Sequence, residues 1–382
     1  MKAADVAIIG GGVIGASIAC ELAAEKLNVV VFDRQRPGLE ASWAAAGMLS
    51  PGPDSLDALP LVPLAKESMR MYPDFVASVE KLSGKTIGLA RIGTLEIFTS
   101  PGSESERDRM VAQYRALGLA IEPISLDDAK KAEPSLGPTA RAAALLPQEA
   151  TLDPRLLMDA LLEAARNRGV EIHADSPVTS VLMEGNRATG IIAGGKTFAA
   201  KCVIVAAGCF SGGIDWLARY APTRPVRGQL LALESKDIAI GTTLRSTKAY
   251  LVPRSSGRII AGSTLEEAGF EKHVTPAGMR KILDGVLELA PALASAQVVD
   301  YWAGLRPGTP DNLPILGPTD IEGLFMATGH YRNGILLAPA TAKLMSDWVL
   351  GRKPALANTE VFSPLRFGEA KLRAPKIASA IS

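Results

Sequence analysis

DVAIIGGGVIG, residues Asp5 to Gly15, decides the fold. Asp5 to Ile9 is a short apolar run, glycines interrupt it, and Ile14, Ile18 and Leu22 then recur at the spacing of one helix face. The spacing predicts strand, tight turn and helix. A second apolar run, Asn28 to Phe32, stops at Asp33, about 20 residues beyond the glycines, where a dinucleotide fold places the acid that binds a ribose. Gly10 permits the turn, Gly12 lets main chain approach a pyrophosphate, and Gly15 lets helix pack on strand. The helix start at Val13 and Ile14 offers free amides and a positive dipole to phosphates. A glycine-rich turn without a ligand is the plain alternative, and it leaves the acid at Asp33 unexplained.

This spacing fits NAD as well as FAD. The next segment, Ala41-Ser42-Trp43-Ala44-Ala45-Ala46-Gly47-Met48, bears on the choice. Its small side chains would let main chain lie against a flat ring system, as a flavin needs. The start of an alanine-rich helix is an equal reading of the same residues.

The chain has 382 residues, 47% of them hydrophobic, enough to bury two cores. Its net charge of +1, from 41 basic and 40 acidic residues, gives no general attraction to nucleic acid or an anionic membrane. A small neutral or zwitterionic ligand fits better. Three cysteines, Cys20, Cys202 and Cys209, lack the spacing of a zinc site or a disulfide framework, so no metal is expected and a reducing cytoplasm is. Met1 leads almost directly into a strand without a signal-peptide pattern, and no apolar run approaches the roughly 20 residues that span a bilayer. A soluble cytoplasmic protein is expected, ending in a basic tail of no assigned function.

Residues 58–82 read as a long amphipathic segment. Leu152 to Asn167 reads as a helix with Asp153 as N-cap, Pro154 in the first turn and Gly169 as stop. A meander follows, ending in an apolar strand, Lys201 to Ala207, that stops at Gly208. From Pro225 longer strands alternate, with a hairpin predicted from Ala249–Arg254 across Ser255-Ser256-Gly257 to Arg258–Gly262. A helix near 275–290 comes next. Leu324 to Gly334 is again strand and glycine turn, leading into a helix that Pro339 should kink or restart. The predicted fold class is α/β: a discontinuous Rossmann-type FAD-binding domain at 1–85, 150–222 and 300–365, and an antiparallel-sheet substrate domain at 86–149 and 223–299. Residues 366–382 form the tail.

Five motifs occur in order: GGGVIG at 10–15, SWAAAGML at 42–49, AYLVPRSSGR at 249–258, WAGLRPGTPD at 302–311 and GHYRNGILLAPAT at 329–341. Together they resemble the FAD-dependent D-amino-acid oxidase, glycine oxidase and sarcosine oxidase family, over the whole chain up to the tail and most strongly its glycine oxidase branch. The resemblance implies that FAD is held by Gly10, Gly12, Val13, Ile14, Gly15, Asp33, Arg34, Ala41, Ser42, Ala46, Gly47, Met48 and Val178. Ala207, Gly208 and the stretch His330, Tyr331, Arg332, Asn333, Gly334, Ile335 and Leu336 complete the set. The helix from Gly334 would direct its positive end at the reduced flavin. No cysteine follows Cys209, so the attachment used by some sarcosine oxidases is absent and FAD is expected to be non-covalent.

By the same resemblance, Arg306 in an LRPG turn holds the substrate carboxylate, Tyr250 assists, and Arg332 lies near flavin and substrate. Read alone, an arginine beside Pro-Gly also fits a surface ion pair, a strand tyrosine fits packing, and His330 could simply satisfy a carbonyl. A buried carboxylate does need a partner, and the arginine fork can supply two charge-assisted bonds. The implied reaction is hydride transfer from the α-carbon of glycine, or of another small amino acid, to flavin N5. Imine, then glyoxylate and ammonia, would be the products, with oxygen reduced to peroxide. The resemblance also implies supply to thiamine thiazole synthesis and a homo-oligomer, specifically a tetramer. The alternatives are a D-amino-acid dehydrogenase, a sarcosine or N-methyl amino acid oxidase, a flavoenzyme of modified RNA, and a flavin-binding protein without catalysis.

Overall fold

A computed structural model describes residues 3–53 and 55–368. Its elements are organised by two eight-stranded sheets. The path of the first sheet runs Ile315–Pro318, Leu324–Thr328, Lys196–Val205, Ala4–Ile9, Val29–Phe32, Glu171–His173, with the Val178–Glu184 and Arg187–Ala193 strands attached through Lys196–Val205. Ala4–Ile9 sits at its centre, parallel to strands on both sides, and Val6 to Ile9 is buried on both faces, which is why that part of the run is continuously apolar. Helix Val13–Ala24 follows the glycine turn as predicted.

The expected strand at 201–207 is the second half of a longer one. Lys196–Val205 begins as an antiparallel partner of Arg187–Ala193 and continues as a parallel neighbour of Ala4–Ile9. The Gly194-Gly195 turn, with both residues at positive φ, lets the chain double back before it enters the parallel sheet.

The second sheet runs Gln297–Gly308, Arg224–Glu234, Ile259–Gly262, Tyr250–Pro253, Thr243–Arg245, Thr94–Phe98, Ala142–Leu146, Glu122–Ile124. The hairpin Tyr250–Pro253 to Ile259–Gly262 is antiparallel as expected. The sheet is not wholly antiparallel, because Thr243–Arg245 and Thr94–Phe98 run parallel. Arg306 also departs from expectation: it lies inside the continuous strand Gln297–Gly308, paired with Val226, not in a turn. Pro307 is tolerated there because this is an edge strand whose outer side needs no ladder amide. The expected boundary between 299 and 300 falls inside the same strand.

Helix Gly334–Val349 runs through Pro339 without a break. Proline cannot donate to the carbonyl four residues earlier, Ile335 O, and the Tyr72 hydroxyl donates to it instead at 2.5 Å. At the next step of the ladder, Ser68 Oγ donates to Leu336 O at 2.6 Å and accepts from Ala340 N at 3.2 Å, bridging the two groups. Both side chains come from helix Val62–Ser83, are buried, and bind the two helices together. Tyr72→Phe leaves Ile335 O buried without a donor and should cost roughly 1–3 kcal/mol, read as a lower urea midpoint. An unchanged midpoint would refute the repair.

The expected tail is structured at its start. Arg366 bonds Asp311 Oδ2 at 2.8 Å, and Phe367 packs into the core of the first sheet. The rest of the tail, 369–382, lies outside the described residues.

Candidate active site

A cavity of about 490 Å³ opens between the carboxyl ends of the first sheet and one face of the second. That is the size class of cofactor and ligand sites, at the position an open α/β sheet favours. Every residue expected to touch cofactor or substrate lines it, except Gly15 and Leu336. Gly15 lies behind the turn, its Cα against Gly10 O. Leu336 is buried on the far side of its helix start, its carbonyl bonded to Ser68.

Two helix starts meet here. At the first, Gly10 N donates to Phe32 O at 2.7 Å and Gly11 N to Asp33 Oδ2 at 2.8 Å, joining turn to second strand. Burial pushes the Asp33 carboxyl above the usual range, against the opposing amides of Gly11 and Gln35. Val13 N donates to Ser42 Oγ, while the amides of Gly12 and Ile14 have no partner among the described residues. At the second, Asn333 caps with no side-chain bond, and the amides of Gly334 and Ile335 are likewise without partners. Two uncapped helix N-termini in one cavity fit an extended, anionic cofactor.

Ala41 to Met48 combines both readings of its sequence, a short helix at Ala41–Ala44 followed by extended chain along the cavity. Val178, Ala207 and Gly208 contribute further wall. Cys209 also lines it, and burial pushes its thiol up to about 12, which suppresses thiolate attack on a bound ligand.

On the second sheet, register fixes a transverse row: Trp302, Leu230, Gly262, Tyr250, Arg245 and Glu96 are successive partners on one face. Tyr250 is 8% exposed, so its side chain belongs to the cavity wall and not to solvent. Arg306 shares the face of Trp302, four residues on along the same strand. Its guanidinium lies over Gly228, where a Cβ would come within 2.2 Å of Nη1, and it donates to Ser263 Oγ at 2.8 Å and Thr264 O at 3.2 Å. These two acceptors help hold the fork at the cavity wall. Arg332 lines the wall beside the second helix start.

His330, 3% exposed, bonds Thr341 Oγ1 at 3.1 Å. Burial lowers its pKa to about 3, so it is neutral at physiological pH. A depressed histidine pKa adds stability above its unfolded value near 6.5, and that stability is lost as pH falls from there toward 3, by about 1.4 kcal/mol per pH unit at most. His330→Gln should therefore flatten the loss of urea stability between about pH 7 and about pH 5. An equal slope in both proteins would exclude His330 as its source.

Other lining residues escape sequence reasoning. Arg245 pairs with Glu96 at 2.5 Å and Glu149 at 3.1 Å and donates to Ser50 Oγ. Burial opposes its charge, but the two carboxylates hold its pKa well above the ordinary value. At the cavity mouth Arg34 stacks 3.4 Å over Phe210 and pairs with Glu40, Phe210 stacks on Phe270, and Lys272 reaches Glu40 at 3.0 Å. Arg34 was expected here from the family likeness; apart from its pair with Glu40, these contacts join segments more than fifty residues apart, which no local pattern records.

A sequence profile of FAD dependent oxidoreductases matches residues 5–348. The chain belongs to the FAD-dependent oxidoreductase family. Its cofactor is FAD, and the cavity has the anion-binding helix starts that such a family needs. The chain is 33% identical to the glycine oxidase of Pseudomonas putida, over 92% of this chain and 96% of that one. It is 35% identical to the bifunctional protein ThiO/ThiG of Synechocystis over 95% of this chain, and spans 54% of that protein's length. Among solved structures, glycine oxidase from Geobacillus kaustophilus superimposes with a TM-score of 0.89 at 32% identity, covering 96% of this chain and 99% of that one. Among the described residues of this family member, no helix is long and apolar enough to cross a membrane.

Proposed function

We propose that this FAD-dependent oxidoreductase oxidises the amine of glycine, with oxygen as acceptor, giving glyoxylate, ammonia and hydrogen peroxide. The observation that carries the reading is the convergence of Arg306 and Tyr250, from the second sheet, on the cavity that holds both uncapped helix starts. Bound FAD supplies the hydride acceptor and returns the electrons to oxygen.

The residues of this chain bind and orient. Arg306 offers its fork to the substrate carboxylate, a charge-assisted contact made from the half-buried cavity wall. Tyr250 adds one neutral donor from the next strands of the same face. Fixing the carboxylate fixes the α-carbon, which converts the reaction into an effectively unimolecular step. Gly12 and Ile14 amides take the pyrophosphate, Asp33 the ribose, and the Gly334 helix start stabilises negative charge on the cofactor. The buried, weakly acidic Cys209 supports non-covalent attachment. Likeness to ThiO/ThiG over 95% of the chain supports a role in thiamine thiazole supply.

The test is oxygen uptake and peroxide release by purified protein with glycine, sarcosine and D-alanine, alongside a quinone dye. Peroxide formed fastest with glycine supports the reading. Reduction of the dye without oxygen uptake would make the protein a dehydrogenase, and preference for sarcosine would make it an N-methyl amino acid oxidase.

A further inference from the structure

The Ala44–Gly47 strip along the cavity is held from behind by three elements. Trp302 Nε1 donates to Ala44 O at 3.0 Å, Arg254 Nη2 to Ala46 O at 2.5 Å, and Leu152 N to Gly47 O at 3.0 Å. A trans peptide is planar, so its carbonyl and its N–H point in opposite directions. Pinning Ala46 O away from the cavity therefore turns the Gly47 amide toward it. Neither the Ala46 nor the Gly47 amide has a partner among the described residues.

Arg254 is an unusual group to find at this place. Its side chain is 8% exposed, yet its ion partner Asp153 lies at 3.8 Å and its Nη1 is buried with no hydrogen bond. Burial lowers its pKa, with Asp153 opposing. An incompletely satisfied buried cation costs stability. A leucine or methionine would fill the same space without that cost, but neither could hold Ala46 O.

We propose that Arg254 is a positioning residue for the flavin: through Ala46 O it aims the Gly47 amide at the acceptor atoms of the ring, favouring negative charge there. Trp302 and Leu152 secure the peptides on either side. The inference rests on the FAD cofactor and not on which amine is oxidised.

Sulfite tests it without any amine, because it adds to the flavin ring as an electron pair and leaves negative charge on it. FAD-loaded wild type, Arg254→Lys and Arg254→Met would be titrated with sulfite by flavin absorbance, with flavin content and melting temperature recorded. At full flavin content, Arg254→Met should bind sulfite at least about tenfold more weakly, the size of one charge-assisted hydrogen bond. Arg254→Lys, which can donate one such bond, should recover most of the affinity. If Arg254→Met cannot be prepared with flavin, Arg254→Gln decides, since it keeps a polar group too short to reach Ala46 O. Wild-type sulfite affinity in the decisive variant, with only the melting temperature lowered, would overturn the proposal and leave Arg254 a packing residue.

Discussion

Arg306→Ala should raise the KM for glycine by about two to four orders of magnitude, because a buried carboxylate left without its partner costs roughly 3–5 kcal/mol. The flavin spectrum should not change. Arg306 donates to Ser263 and Thr264 at the end of a second-sheet strand, away from the glycine turn that carries the first helix start. Arg306→Lys keeps the charge but loses the planar fork and should fall between the two. Tyr250→Phe removes one neutral bond and should cost only about 0.5–1.5 kcal/mol. Steady-state kinetics with oxygen uptake would check all three, and an unchanged KM in Arg306→Ala would remove it as the carboxylate ligand.

Gly15→Ala should have the second large effect, on cofactor and fold together. A Cβ on Gly15 would lie 1.9 Å from Gly10 O, inside a turn whose Gly10 is at φ 105° and itself packed against Ala206 O. Neither neighbour is a side chain that can swing aside. The helix must therefore move off the central strand, and the Gly12 and Ile14 amides move with it. FAD affinity should fall by at least about a hundredfold and stability by several kcal/mol, as overpacking of a tight backbone contact requires. Flavin titration of the apoprotein and urea unfolding measure the two losses. A dissociation constant within about threefold of wild type would show that the turn is not what holds the cofactor.

The glycine turn was legible because its constraints are local. Spacing of Gly10, Gly12 and Gly15, the apolar strand before and Asp33 after specify one supersecondary unit, and the structure forms it. Helix Pro154–Asn167 was legible for the same reason, its Asp153 cap bonding Arg155 N at 2.8 Å. Pro339 shows the limit. Its local rule predicts a kink, but Tyr72 and Ser68, far away in sequence, supply the missing bonds. The strand character of Arg306 was hidden in the same way, since Pro-Gly reads as a turn unless the edge position is known. Arg245, Phe210 and Phe270 reach the cavity only through strand register and inter-sheet packing, which no single stretch records. The five motifs supplied the cavity's remaining walls through family likeness, not through derivation.

The most direct test of glycine oxidation by this FAD enzyme is anaerobic mixing of the purified holoprotein with glycine, followed by admission of air and a peroxide assay. The account predicts rapid bleaching of the flavin absorbance by glycine, slower bleaching by sarcosine and D-alanine, and one peroxide per flavin on reoxidation. A protein that carries FAD but is bleached by none of the three would contradict it.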